Sequence, residues 1–219
     1  MKITDRIYTY PEKGMLDCNT YVIKDDLLVM IDTGLTDYLP DRLEEMARDG
    51  LDPKKIALIV NTHLHGDHCW ANQSLKESSG AKINLHPLQT KYYDLNVRQM
   101  ARFFGIEPVE FSADGALETR LETGKLSFEL ITAPGHSPDS VCFYCREEKV
   151  LICGDVVFDH NTGRVDLPGG NGQQLKESIE ALAKLDIEYV MPGHMGIVEG
   201  REAVKSNFEF VRRNVFPAL

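Results

Sequence analysis

Long apolar runs are missing from this sequence. Its 219 residues contain no stretch near the roughly 20 apolar residues that span a membrane. The opening MKITDRIYTYPEKG has no signal-peptide core, and the chain has no low-complexity tract or long linker rich in Pro, Gly or Ser. We therefore expect a cytoplasmic protein with a single domain over residues 1–219.

Positive charge is also scarce. The sequence has 24 Lys and Arg residues against 34 Asp and Glu residues, which gives a formal net charge of −10 at pH 7. Binding to nucleic acid depends on clustered basic side chains, so this balance argues against such a partner. The lack of apolar runs argues against a membrane. We expect a small-molecule substrate, while the oligomeric state, a homodimer included, stays open.

Cysteines are few and odd in number. Two of the five form Cys142-x-x-Cys145, a spacing seen in redox and zinc pairs. The surrounding SVCFYC is typical of a strand, however, in which residues three apart face opposite sides. We therefore predict free, buried thiols, as expected in a reducing compartment.

What is present is an alternation of apolar strands and amphipathic helices. Helical spacing appears, for example, over 69–78 and 173–185. Three apolar runs end in a glycine-containing turn that presents His or Asp: Pro134-Gly135-His136, Gly154-Asp155 and Pro192-Gly193-His194. The alternation predicts an α/β fold with helices packed outside sheets, and such folds place their chemistry in these turns.

The densest group of polar side chains follows the apolar run IALIV, in NTHLHGDHCW. His63 and His65 are two residues apart, so they project to the same side of an extended chain. Gly66 lets the backbone turn, so Asp67 and His68 can address a second centre. One loop can thereby serve two metal ions.

Residues farther along the chain complete both sites. The predicted ligands are His63, His65 and His136 for one ion, Asp67, His68 and His194 for the other, and Asp155 as a bridge. Three protein ligands per ion with an open position is the pattern of catalytic zinc, whereas four closed ligands indicate a structural role. The count predicts a catalytic pair of zinc ions, with iron or manganese as alternatives.

Such a centre favours hydrolysis. Water bound to a metal ion has its pKa lowered from 15.7 to about 7, and two ions about 3.5 to 4 Å apart can hold a hydroxide while one polarises a carbonyl. The sequence has no G-x-S-x-G motif that would supply a serine nucleophile. Two histidines lie outside the cluster; we predict a structural role for His86 and a place at the rim of the site for His160.

The ordered ligand set resembles that of the metallo-β-lactamase fold superfamily of metal-dependent hydrolases. The resemblance runs from Asn19-Thr20-Tyr21 to Pro192-Gly193-His194 and so covers nearly the whole chain. It implies a four-layer αβ/βα sandwich of two similar halves, with the site at the edge between the sheets. It also implies that Asp32 lies behind the ligands, where a carboxylate commonly accepts a hydrogen bond from a ligating histidine.

Within that superfamily, residues 154–158 and 163–170 resemble the glyoxalase II and persulfide dioxygenase branch. Arg164 matches a basic position that faces the substrate there, where a guanidinium would clamp a carboxylate on a thiol carrier. Glyoxalase II proper, however, has a tyrosine two residues after its last histidine and a C-terminal glutathione-binding domain. This chain has Gly196 at that position, and only 25 residues follow His194. Lactonases of the superfamily usually carry a tyrosine where this chain has Phe158.

The sequence thus predicts a glyoxalase II-like hydrolase with two zinc ions, in which metal-bound hydroxide attacks a small thioester or ester and Asp67 and Asp155 take part in catalysis. A mononuclear iron persulfide dioxygenase with His63, His136 and Asp155 as ligands stays open. So do a lactonase-type hydrolase and a binding module without catalysis. The stretch Tyr92–Phe104 is either helix core, which amphipathic spacing favours, or a lid or partner surface.

Overall fold

The computed structural model describes residues 1–14 and 16–219. Its strands are β1 (Ile7–Tyr10), β2 (Thr20–Lys24), β3 (Leu28–Ile31), β4 (Ile56–Val60), β5 (Lys82–Leu85), β6 (Gly115–Ala116), β7 (Arg120–Glu122), β8 (Ser127–Thr132), β9 (Val141–Cys145), β10 (Val150–Gly154), β11 (Tyr189–Pro192) and β12 (Val198–Glu199). They form two six-stranded sheets, in the orders β1-β2-β3-β4-β5-β6 and β12-β11-β10-β9-β8-β7.

Helices connect and cover these sheets. The α-helices are α1 (Leu39–Arg48), α2 (Gly66–Cys69), α3 (Asn72–Ser79), α4 (Pro87–Lys91), α5 (Met100–Phe103), α6 (Gly172–Leu182) and α7 (Arg201–Phe210). Short π-helical segments cover Asp94–Gln99 and Val211–Val215, and 3-10 turns cover Thr36–Tyr38, Pro53–Lys55 and Phe216–Ala218. Within the described residues, no helix has the length and apolarity required to cross a membrane.

Local sequence signals explain several helix ends. Pro40 lies in the first turn of α1, where its missing N–H costs no hydrogen bond. Gly50 follows the helix with a φ of 75°, in the left-handed region that favours glycine. At the start of α6, the side chain of Asn171 accepts a hydrogen bond from the backbone N of Gln174 at 3.0 Å.

Three apolar clusters fill the spaces between four layers. Ile31 of the first sheet and Phe143 of the second belong to the cluster between the sheets. Met46 of α1 belongs to a cluster on the outer face of the first sheet, and Ile179 of α6 and Phe208 of α7 belong to one on the outer face of the second. The predicted αβ/βα sandwich is therefore confirmed.

The cysteine prediction is also confirmed. All five cysteines are free and buried. Cys142 packs in the cluster beneath α6 and α7, whereas Cys145 packs in the cluster between the sheets. The two thiols therefore lie on opposite faces of β9.

The predicted helix over 69–78 is wrong at its start. The structure has a single turn, α2, and a separate helix, α3. Between them the backbone N of Ala71 donates to the carbonyl oxygen of Gly34 at 3.0 Å, and Thr36 Oγ1 donates to the carbonyl oxygen of Trp70 at 3.0 Å. These bonds to the chain after β3 replace the bonds that would have continued the helix.

Candidate metal centre

The predicted ligands lie where strands of both sheets end. The segment after β4 carries four of them, from His63 to His68, and the turns at the ends of β8, β10 and β11 carry the other three. β8 and β10 both pair antiparallel with β9, and β10 pairs parallel with β11. The three strands therefore run in the same direction and end at the same edge of the second sheet.

The seven predicted ligands come together at this edge. Possible ligand atoms lie within 4.8 Å of one another in a first triad of His63, His65 and His136 and in a second triad of Asp67, His68 and His194. A third group of the same size joins His63, His68 and Asp155. The two triads are therefore neighbours and not separate sites.

Asp155 lies between the two triads. Its Oδ2 is 3.6 Å from His136 Nε2 in the first triad and 3.4 Å from His194 Nε2 in the second. Its Oδ1 is 3.3 Å from His68 Nε2. One carboxylate thus faces ligand atoms of both triads, as a bridging ligand must.

Several polar atoms of this cluster are buried without a hydrogen bond. Within the described residues, His63 Nε2, His68 Nε2 and Asp155 Oδ1 have no such partner. Unsatisfied buried polar atoms are rare, and each requires a compensating interaction. Cations held by the triads would provide it, so the donor set fits a pair of metal ions.

Burial keeps the first triad in the form that binds metals. Burial lowers the pKa of His63 well below its usual range, and the nearby His68 lowers it further. Burial, helped by His136, lowers the pKa of His65 to about 3, and burial also lowers the pKa of His136. Neutral imidazoles have a free lone pair at neutral pH, as metal ligation requires.

In the second triad, neighbouring carboxylates determine the pKa of His194. Burial lowers the pKa of His194, but hydrogen bonds to Asp155 and Asp67 outweigh it and raise that pKa to about 11. A cation that binds there has to displace a proton from the ring. Metal binding to the second triad should therefore release protons into solution.

Hydrogen bonds at Nδ1, on the side of the ring away from the centre of the cluster, orient two of the histidines. Asp32, fully buried, has its Oδ2 2.9 Å from His68 Nδ1, and its Oδ1 accepts a hydrogen bond from Thr62 N at 2.8 Å. His136 Nδ1 lies 2.7 Å from the backbone oxygen of Arg164. In both rings Nδ1 is occupied, which leaves Nε2 for the centre of the cluster.

Arg164 therefore contacts the cluster through its backbone. Its side chain is 58% exposed and forms two hydrogen bonds to Asp166, both 2.6 Å long. The guanidinium lies on the solvent side of the turn. Its predicted role in binding a substrate carboxylate stays a prediction.

The remaining histidines and Phe158 have distinct places. His86 caps α4, accepting a hydrogen bond from Leu88 N at 3.2 Å, which is a structural role. The side chain of His160 is 58% exposed and pairs with Asp159. The buried ring of Phe158 packs edge-on against the ring of His194, with 5.8 Å between centroids.

The stretch from Tyr92 to Phe104 is neither wholly core nor wholly surface. Met100 is buried, and Asn96, also buried, donates a hydrogen bond from Nδ2 to Ser137 Oγ at 3.0 Å. The two phenylalanines at its end are 61% and 53% exposed. One face of the stretch therefore packs on the turn after β8, and the end of the stretch faces solvent.

Asp139 is a buried residue near the site that sequence reasoning missed. Its carboxylate accepts hydrogen bonds from Leu64 N at 3.1 Å and from Ser137 Oγ at 2.5 Å. Burial raises the pKa of Asp139 to about 6. Because Leu64 lies between two histidines of the first triad, this carboxylate helps to hold their backbone. Its position three residues after His136 is the one signal that could have suggested this.

Glu12 was also missed. Its Oε2 lies 2.9 Å from His194 Nδ1, although the two residues are 182 positions apart in the chain. No local pattern around Glu12 indicates this contact, which forms only when the chain between β1 and β2 reaches the turn after β11.

Gly193 provides a test of how tightly the cluster is packed. A Cβ at this position would lie 2.2 Å from Asp155 Oδ1 and 2.6 Å from His68 Cε1. We expect Gly193→Ala to displace these groups and to lower metal affinity by about 10- to 100-fold, as disturbance of a ligand's surroundings commonly does. Metal content after dialysis and a competition titration would measure this. Gly196→Ala is the control, because a Cβ there meets nothing within 4 Å; equal metal affinity in the two variants would contradict the prediction.

The sequence model of the metallo-beta-lactamase superfamily matches residues 14–194. The probable metallo-hydrolase YqgX of Bacillus subtilis is 32% identical over 192 residues, covering 83% of this chain and 86% of that protein. The hydroxyacylglutathione hydrolase GloC of Haemophilus influenzae is 28% identical over 170 residues, covering 74% and 76% of the two chains.

Solved structures show the same fold. The BLEG-1 B3 metallo-beta-lactamase has a TM-score of 0.75 and 29% identity, with 88% of this chain and 93% of that chain covered. TTHA1623 in a di-iron-bound form has a TM-score of 0.74 and 29% identity, with 93% and 97% covered. The architecture is therefore shared over nearly the whole of both proteins.

Proposed function

Because this chain belongs to the metallo-β-lactamase superfamily, we propose that it is a hydrolase with two zinc ions that cleaves a small thioester or a related ester. The observation that carries the proposal is the position of Asp155, whose carboxylate faces His136 of the first triad and His194 of the second at 3.6 and 3.4 Å. A carboxylate that faces both triads is suited to bridge a pair of ions about 3.5 to 4 Å apart. The di-iron form of TTHA1623 supports two ions in this fold and keeps iron as an alternative metal.

The grouping of the side chains supports a role for each triad. The first triad would hold one ion, the second triad the other, and Asp155 would contact both. When bound, such ions lower the pKa of water and polarise a substrate carbonyl. The protein's own contribution is to fix the donor atoms, with Asp32 behind His68 and the Arg164 backbone behind His136.

Asp67 is suited to orient the attacking water. Burial opposes ionisation, but the neighbouring His68 and His194 lower the pKa of Asp67, so its carboxylate is charged at neutral pH. Its side chain is 25% exposed and so reaches the solvent side of the cluster. There it can accept a hydrogen bond from water that enters with the substrate.

A thioester suits this site as substrate. A thiol has a pKa of about 8.5, so a thiolate can leave without a strong acid beside it. The similarity to GloC, described as a hydroxyacylglutathione hydrolase, favours the same bond type. Arg164, exposed at the turn after β10, would bind a carboxylate on the thiol carrier if it exchanged its bond to Asp166.

Hydrolysis of a substrate panel tests the proposal. Protein stripped by a chelator and reloaded with zinc, manganese or iron would be offered hydroxyacyl thioesters of glutathione and of smaller thiols, with matched oxoesters and lactones. We expect reloaded protein to release thiol at least about 100-fold faster than stripped protein, because stabilisation by a metal ion is worth several kcal/mol. Metal analysis should find two ions per chain.

Other outcomes identify the alternatives. A persulfide would be offered alongside the panel, and one iron per chain with oxygen uptake on that persulfide would replace hydrolysis by persulfide oxidation. Cleavage of lactones alone would move the substrate class to the lactonases. Two bound ions with no turnover of any panel member would contradict the proposed bond type.

A further inference from the structure

His194 is held differently from the other histidines of the two triads. Its side chain is 22% exposed, whereas the other four are buried. Its Nδ1 lies 2.9 Å from Glu12 Oε2, and its Nε2 lies 3.1 Å from Asp67 Oδ2. The ring is therefore fixed between one carboxylate inside the second triad and one outside it.

Glu12 also binds the backbone beside this ring. Met195 N donates a hydrogen bond to Glu12 Oε1 at 3.3 Å. Met195 has a φ of 67°, a left-handed backbone conformation that residues other than glycine rarely adopt without support. One carboxylate thus binds two consecutive residues of the turn after β11.

Asn19 strengthens the same contact. Its Oδ1 accepts a hydrogen bond from Glu12 N at 3.0 Å, and its Nδ2 donates to the carbonyl oxygens of Met195 at 2.9 Å and Pro192 at 3.0 Å. The chain between β1 and β2 therefore holds this turn through several bonds. Glu12 is the member of the set that reaches the imidazole.

We propose that Glu12 is a positioning residue for the second metal ion and that it acts through His194. The proposal rests on the two-ion centre of the proposed function. When a cation displaces the proton on Nε2, the atom that faces Asp67, the other hydrogen stays on Nδ1 and is donated to the carboxylate of Glu12. A carboxylate behind a ligating histidine fixes the ring and raises its basicity. Glu12 would do for His194 what Asp32 does for His68, but from the surface.

The surroundings of Glu12 allow it to be replaced cleanly. Its side chain is 37% exposed. The segment is anchored independently by Lys13, whose Nζ donates to Glu45 Oε1 at 2.6 Å and whose backbone N donates to Asp17 Oδ2 at 2.9 Å. Glu45→Ala is the matched control, since it removes a carboxylate that binds the neighbouring residue.

The experiment is a titration of metal-free, full-length protein with Zn²⁺ in competition with a chromophoric chelator. His194→Ala assigns the binding step that belongs to the second triad. We expect Glu12→Ala to weaken that step by about 10- to 100-fold and to leave the other step within about twofold. Glu12→Gln, which keeps an acceptor oxygen without the charge, should lose less affinity, and Glu45→Ala should behave as the unaltered protein.

Each other result has a definite meaning. Two unchanged binding steps in Glu12→Ala would overturn the role of Glu12 while leaving the two-ion centre intact. Equal weakening of both steps, with a lower melting temperature of the metal-free protein, would show a general structural effect and would also overturn it. A single binding step that His194→Ala leaves unaltered would instead contradict the two-ion centre itself.

Discussion

Asp155→Asn is expected to lower kcat/KM for hydrolysis by about 1000-fold or more, since losing even one group that stabilises a transition state commonly costs 100- to 1000-fold. The two oxygens of Asp155 face His68, His136 and His194 at 3.3 to 3.6 Å. An amide of the same shape removes the charge and turns an N–H₂ group toward a cation. The protein should fold normally but hold fewer than two ions. Steady-state kinetics with metal analysis and circular dichroism would measure this.

Asp159→Asn is the control for that experiment. Asp159 lies four residues away, and its side chain is 47% exposed and pairs with His160. It should retain both ions and nearly full activity. If Asp155→Asn also retained two ions and a rate within tenfold of the unaltered protein, the bridging role of Asp155 would be wrong.

Arg42→Met is expected to lower the free energy of unfolding by about 3 to 5 kcal/mol, the usual cost of breaking a buried ion pair. Arg42 and Asp17 are both fully buried, with 2.6 Å between Nη2 and Oδ2. Arg42 Nη1 also donates to the carbonyl oxygen of Thr33 at 2.9 Å. The substitution leaves the Asp17 carboxylate buried without its cation. Urea unfolding in the presence of a chelator would measure this without a contribution from bound metal.

Two further variants separate this ion pair from an ordinary surface charge. Arg48→Met should cost less than about 1 kcal/mol, because the pair between Arg48 and Glu44 is exposed on both sides. Adding Asp17→Asn to Arg42→Met should restore part of the lost stability, because the uncompensated charge is removed. Similar losses in Arg42→Met and Arg48→Met would show that the buried pair contributes nothing special.

The layered fold could be predicted because its signals are local. Apolar runs mark the strands, and helical spacing over 173–185 marks α6, so the α/β sandwich follows from short segments of sequence. The cluster of predicted ligands could be found from the sequence for the same reason, because four of its seven residues lie between His63 and His68. The break between α2 and α3 could not be predicted from the sequence, because it depends on hydrogen bonds to Gly34 and Thr36, about 35 residues earlier in the chain.

Supporting residues were harder to predict than ligands. Asp139 and Glu12 contact segments that lie far from them in the chain, and neither residue is part of a repeated spacing. Arg164 illustrates a different difficulty. The prediction concerned its guanidinium group. The contact with His136 is instead made by its backbone carbonyl oxygen, which any residue could supply. Sequence patterns report side-chain chemistry and say little about backbone contacts.

Each triad takes its members from both halves of the molecule. The segment after β4, in the first sheet, provides two residues to each triad, and the ends of β8 and β11, in the second sheet, provide the third. A bound ion would therefore cross-link the two halves, and the sheets could separate only after its coordination bonds had broken. The free energy of metal binding would then add to the stability of the folded chain, so the metal-free form would unfold more easily than the metal-bound form.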